Sequence, residues 1–106
     1  MRAALTDRNQ KEIVAALRQA GASVQILSSV GKGCPDIAIG YLGQTTFAEI
    51  KDGLAPKSQR KLTVDQERWH REWRGSVTVI ESVADAMRVL GGMATRDTWI
   101  NKGKNT

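Results

Sequence analysis

Residues 33–53 read GCPDIAIGYLGQTTFAEIKDG, and how this stretch folds decides the reading of the whole chain. Residues 36–41, DIAIGY, and 45–51, TTFAEIK, read as two strands joined through Leu42, Gly43 and Gln44. So short a connection makes them antiparallel neighbours in a hairpin. Side chains alternate across a strand, so Phe47, Glu49 and Lys51 share one face, and Ala48 and Ile50 the other. With residues 42–44 as the loop, Asp36 comes opposite about residue 50. Asp36, Glu49 and Lys51 are therefore expected to converge at one edge of a sheet.

Working outward, residues 7–20, DRNQKEIVAALRQA, carry Ile13, Ala16, Leu17 and Ala20 at helical spacing. Thr6 or Asp7 is expected to cap this helix and Gly21 to end it. A short strand follows within ASVQILSS, centred on residues 24–27, and then the loop SVGKGCP. A second loop, DGLAPKSQRK, holds a glycine, a proline and several basic residues. Thr63 to Gln66 spells T-x-x-Q, a capping-box pattern expected to open a helix to about Arg74. SVTVIES reads as a strand, and Ser82 to Asp85 as a second cap leading a helix that closes at Gly91–Gly92. Residues 1–93 then form one domain, and 94–106 a tail, loose or docked on a partner chain through Trp99. The order is α-β-β-β-α-β-α. Thr45 to Ile80 forms a strand–helix–strand unit with a right-handed parallel crossover. The expected class is α/β: a small mixed sheet flanked by helices.

A chain of 106 residues suffices for one small domain. At 41% hydrophobic and 25% charged residues its balance is that of an ordinary globule. One cysteine, Cys34, rules out an intrachain disulfide framework and a metal site built of cysteines. The first ten residues carry no apolar signal stretch, and no run approaches a membrane span, so a cytoplasmic protein without a membrane partner is expected. Sixteen Lys and Arg against eleven Asp and Glu give +5, and the pI is about 9.8. That surplus suits a polyanionic partner, most simply nucleic acid, and also a merely solvated basic surface.

Two neighbouring carboxylates repel when both are ionised, and a divalent cation relieves the repulsion. Carboxylate oxygens, a backbone carbonyl and waters suit Mg²⁺ or Mn²⁺. Such an ion polarises a phosphate oxygen and lowers the pKa of bound water. Lys51 could then orient the attacking water or stabilise charge on the phosphate. These are the parts for hydrolysing a phosphodiester, although P-D also occurs in ordinary turns and E-x-K on ordinary solvated strands.

The segments GCPDIAIG, FAEIK and KLTVDQERWHREWRGSVTVIESVADAM resemble the PD-(D/E)xK nuclease superfamily, and most of all its VRR-NUC branch in the compact form of phages and prophages. The resemblance runs from about Asn9 to Leu90. It implies a restriction-endonuclease-like core and a Mg²⁺- or Mn²⁺-dependent DNA endonuclease in a bacterial host cell. Asp36 and Glu49 match the metal-binding acids, with the carbonyl of Ile50 as a further ligand. Lys51 matches the motif lysine and Gln66 the glutamine on the helix after the core strands. Glu12 matches the acid many members carry on the first helix; as a residue it could equally be a solvated neighbour of Arg8 or Lys11. No small-molecule cofactor is implied. Members of this size resemble Holliday-junction resolvases, which implies a homodimer that cuts one strand of a branched DNA per subunit, leaving 5′-phosphate and 3′-hydroxyl ends. The basic loop at residues 52–61 is longer than the usual connection, which leaves a less selective nickase open.

Lys57, Arg60 and Lys61, just before the Gln66 helix, read as phosphate contacts, with Lys32 a weaker case. His70, the sole histidine, reads as structural or exposed, and Trp69 and Trp73 as a core-facing aromatic pair. Cys34 reads as a small packing residue. A different class remains alongside the enzyme: a DNA-binding module with the fold but not the chemistry, or a subunit that needs a partner helicase. An intact D…E-x-K set argues against the first.

Overall fold

A computed structural model describes the backbone of residues 2–104 and the side chains of residues 9–97. The elements follow the expected order: α1 (Arg2–Gln19), β1 (Ser23–Ile26), β2 (Ile37–Tyr41), β3 (Gln44–Ile50), α2 (Val64–Glu72), β4 (Val77–Ile80) and α3 (Val83–Lys104). The strands form one mixed sheet in the order β1-β2-β3-β4, antiparallel except for the parallel β3–β4 pair. No described helix is long and apolar enough to cross a membrane.

The hydrophobic period decides the layers. Ile37 and Ile39 of β2, Ala48 and Ile50 of β3 and Ile80 of β4 are buried on one face. Ile13, Val14 and Leu17 of α1 and Ala86, Leu90 and Met93 of α3 complete the same core. Wholly burying each Ile or Leu there stabilises the fold by about 1.5–3 kcal/mol. α2 lies on the opposite face, where Phe47 meets Trp69 and Trp73 edge-on at 5.5 and 4.8 Å between ring centroids. Trp69 and Trp73 stack on each other at 4.8 Å. The pair therefore faces the sheet but lies outside the main core, and Trp73 stays 40% exposed.

Several expectations shift by a few residues. Tyr41 pairs with Gln44, so the hairpin loop is Leu42–Gly43 alone, both at positive φ (51° and 76°). Such φ values fit the primed two-residue turn that matches strand twist. α1 begins at Arg2, which puts Thr6 and Asp7 inside it rather than at its cap. Its other end behaves as expected: Gly21 (φ 101°) donates to the Arg18 carbonyl and Ala22 to that of Leu17, the two bonds of a Schellman cap. α2 stops at Glu72, short of Arg74.

The largest difference is α3, which passes through Gly91 and Gly92 to Lys104 instead of ending there. Each glycine costs a helix about 1 kcal/mol. Leu90 and Met93, on either side, are both buried in the core, and Gln44 Nε2 donates to the Met93 carbonyl (2.8 Å). Packing outweighs propensity at that point. The side chain of Trp99, expected to dock on a partner, lies outside the described residues.

Gly33 fixes how α2 meets the loop before β2. It sits at φ 80°, and a Cβ there would fall onto the Asp65 carbonyl of α2. Gly33→Ala is thus expected to destabilise the protein by at least about 1–2 kcal/mol, the cost of left-handed backbone alone. Thermal melting checks this; an unchanged Tm would show that α2 is not seated against this loop.

Candidate active site

Three backbone contacts bring the chemistry to one end of β3. The Leu27 N–H donates to the Asp36 carbonyl (2.7 Å), extending the β1–β2 ladder to the start of β2. The register of β2 against β3 then sets Asp36 beside Glu49. The Ile50 N–H donates to Asp36 Oδ2 at 2.8 Å, which fixes that carboxylate over the end of β3. On the other side, the Lys51 N–H donates to the Ile80 carbonyl (3.0 Å). Asp36, Glu49, Ile50, Lys51 and Gln66 line one cavity of about 530 Å³, together with Asp52 and Lys61.

Glu49 is the unusual group. It is 1% exposed, and its Oε1 has no hydrogen-bond partner. Burial, then the hydrogen bonding and charge of the adjacent Asp36, push its pKa up to about 9 against an opposing pull from Lys51. A carboxyl held neutral this way is an ionisation waiting for a cation. Cys34 lies close enough to feel the same acids: burial first, then Glu49 and Asp36, raise its thiol pKa. Among the described residues no group of three or more His, Cys, Asp and Glu side chains clusters as a metal cage.

The stability consequence has a definite sign. Between about 4.5 and about 9 the folded chain keeps a proton on Glu49 that the unfolded chain has released. Folding stability is therefore full below that window and falls as pH rises through it. Melting curves of the metal-free protein against those of Glu49→Gln should diverge as pH rises, with the wild type losing ground. Parallel curves would mean Glu49 ionises normally.

Lys51 is held by α2. Its Nζ donates to Gln66 Oε1 at 2.8 Å. The same oxygen accepts the Thr63 N–H (2.9 Å), while Gln66 N–H donates to Thr63 Oγ1 (3.2 Å), so the T-x-x-Q pattern forms its capping box. Gln66 therefore anchors the start of α2 and aims Lys51 with one side chain.

The remaining candidates divide. Glu12 is exposed and lines a neighbouring cleft with Asn9, Asp52 and Arg60, apart from Asp36 and Glu49. Lys61 joins the main cavity, and Lys57 is exposed on a short 3-10 turn, Lys57–Gln59. Arg60 is different: its Nη1 pairs with Glu81 Oε2 at 3.0 Å, an intramolecular tie in place of a free phosphate contact. Lys32 lines a separate cleft beside Asp65, Arg68 and Trp69.

Sequence reasoning passed over two participants. Asn9 Nδ2 donates to the Lys51 carbonyl (2.9 Å), tying α1 to the end of β3; nothing in the local pattern marks it. His70, read from the sequence as structural or exposed, is half-buried, with Nε2 3.6 Å from Glu49 Oε1. Its place one turn after Gln66 was the available signal.

No family model matches the chain, and no curated protein does. A solved structure described as a VRR_NUC domain is similar to it: 26% identical, covering 81% of this chain and 94% of that one, with a TM-score of 0.63. The mixed four-stranded sheet and its order of elements agree with that likeness, which supports a VRR-NUC nuclease fold for this chain.

Proposed function

We propose that this chain is a metal-dependent DNA endonuclease that acts on branched DNA as a homodimer, each subunit cutting one strand. The observation that carries the chemistry is Glu49: a buried carboxyl with an unpartnered oxygen, held protonated beside Asp36 at the wall of an open cavity. VRR-NUC nucleases as a family use divalent metal, and this site fits one. Two carboxylates and the Ile50 carbonyl are an all-oxygen set, which leaves room for the waters that Mg²⁺ or Mn²⁺ keeps. When bound, the ion polarises a phosphate oxygen and makes a nucleophile of water at neutral pH.

The chain's own residues supply the rest. Asp36, pinned by the Ile50 N–H, stays fixed during turnover. Lys51, aimed by Gln66, places an ammonium at the cavity where negative charge grows on the phosphate. Lys57 and Lys61 supply positive charge along the approach, so affinity for DNA should fall steeply with salt. Each subunit carries one Asp36–Glu49 pair, and resolving a four-way junction takes two cuts, so a two-fold dimer suits that substrate.

The test is cleavage of a labelled four-way junction beside a flap, linear duplex and single strand, with Mg²⁺, Mn²⁺ or EDTA. Paired symmetric cuts in the junction, absent with EDTA, are expected. Cuts in every substrate would leave the nuclease and discard the junction preference. Tight binding without cleavage under either ion would leave a binding module or a partner-dependent subunit.

A further inference from the structure

Two buried polar atoms face each other without a partner: Oε1 of Glu49 and Nε2 of His70, 3.6 Å apart. Leaving such a group unpaired costs about 1–3 kcal/mol. A separation of 3.6 Å is too long for a hydrogen bond and too short to admit a bridging water. A few tenths of an ångström of side-chain rotation would close it.

The register of α2 over β3 makes the meeting systematic. Glu49 and Lys51 are two residues apart on one strand face, about 6.8 Å by strand rise. Gln66 and His70 are four apart on one helix face, about 6 Å by helical rise. The two spacings nearly match, so α2 sets Gln66 on Lys51 and His70 on Glu49. The first contact is a formed hydrogen bond; the second has the same geometry and a gap. Trp69 braces the imidazole edge-on at 6.2 Å between centroids. Burial, then the charge of Lys51, hold the His70 pKa below its ordinary value.

We infer that His70 is a positioning residue for the nuclease centre: its Nε2–H donates to Oε1 of ionised Glu49 and aims that carboxylate at the divalent cation. This rests on the reading of Asp36 and Glu49 as a metal site. Partners of this kind typically change metal affinity by about 10–100-fold.

The experiment is Mn²⁺ affinity of the DNA-free protein, read by electron paramagnetic resonance, for wild type, Glu49→Gln, His70→Leu and His70→Gln. His70→Leu should weaken Mn²⁺ by at least about tenfold. His70→Gln, whose amide nitrogen falls near the place of Nε2, should recover most of that loss. Equal affinity for His70→Leu and wild type overturns the inference. So does a His70→Gln as weak as His70→Leu, because shape rather than the hydrogen bond would then matter. If Glu49→Gln abolishes binding while His70→Leu does not change it, the metal reading stands and only this inference fails. A wild type that binds no Mn²⁺ removes both. Because His70 is the only histidine, nitrogen NMR of the wild type gives a reading that needs no variant. In the Mg²⁺-saturated protein its Nε2 should carry the proton; an unprotonated Nε2 would overturn the inference.

Discussion

Glu49→Gln should lower the rate of DNA cleavage on the order of 10³-fold, about 4 kcal/mol of barrier. The substitution keeps the side chain's volume in a site that is 1% exposed, so packing is preserved. It also copies the charge of the metal-free state, because burial and Asp36 hold Glu49 protonated up to about 9. Folding near pH 7 should therefore barely change while chemistry collapses. Single-turnover cleavage at saturating Mg²⁺, beside a thermal melt of each protein, separates the two. A variant that keeps its melting temperature and its activity would remove Glu49 from the catalytic centre.

Lys51→Met is expected to cost about 10²-fold or more in kcat, with DNA affinity reduced much less. Methionine keeps the apolar stem and removes the ammonium that Gln66 Oε1 now accepts from. Gln66→Ala should fall between wild type and this variant in rate, since Lys51 stays charged but is no longer aimed. It should also lose about 1 kcal/mol of stability, because the same side chain closes the α2 capping box. Steady-state cleavage with DNA anisotropy checks both. A Lys51→Met protein with normal kcat and weak DNA binding would make Lys51 a phosphate contact and nothing more.

How far the sequence carried is best judged from single elements. The hairpin, its two strands and the cap at Thr63–Gln66 were legible because each depends on neighbours in the chain: a two-residue turn, alternation, and a hydroxyl three residues before an amide. Asp36, Glu49 and Lys51 come together because the same local rules place them on the hairpin, and the seating of α2 over β3 adds Gln66 to their cavity. What the sequence hid depends on packing between distant segments. α3 crosses its two glycines because Leu90 and Met93 have a core to bury in. Arg60 looked like a free basic residue until Glu81, 21 positions away, took its charge. His70 read as structural or exposed on a polar helix, and only the seating of α2 over β3 turns it toward Glu49.

The most direct test of the account is calorimetric titration of Mg²⁺ or Mn²⁺ into the DNA-free protein near neutral pH, repeated in buffers of different ionisation enthalpy. Ionising Glu49 to receive the cation must expel the proton it holds. Saturable binding with release of about one proton per ion, lost in Glu49→Gln, is expected. Binding with no proton release, or binding that Glu49→Gln leaves intact, would contradict it: the cation would then sit elsewhere, and the Asp36–Glu49 pair would not be the catalytic centre.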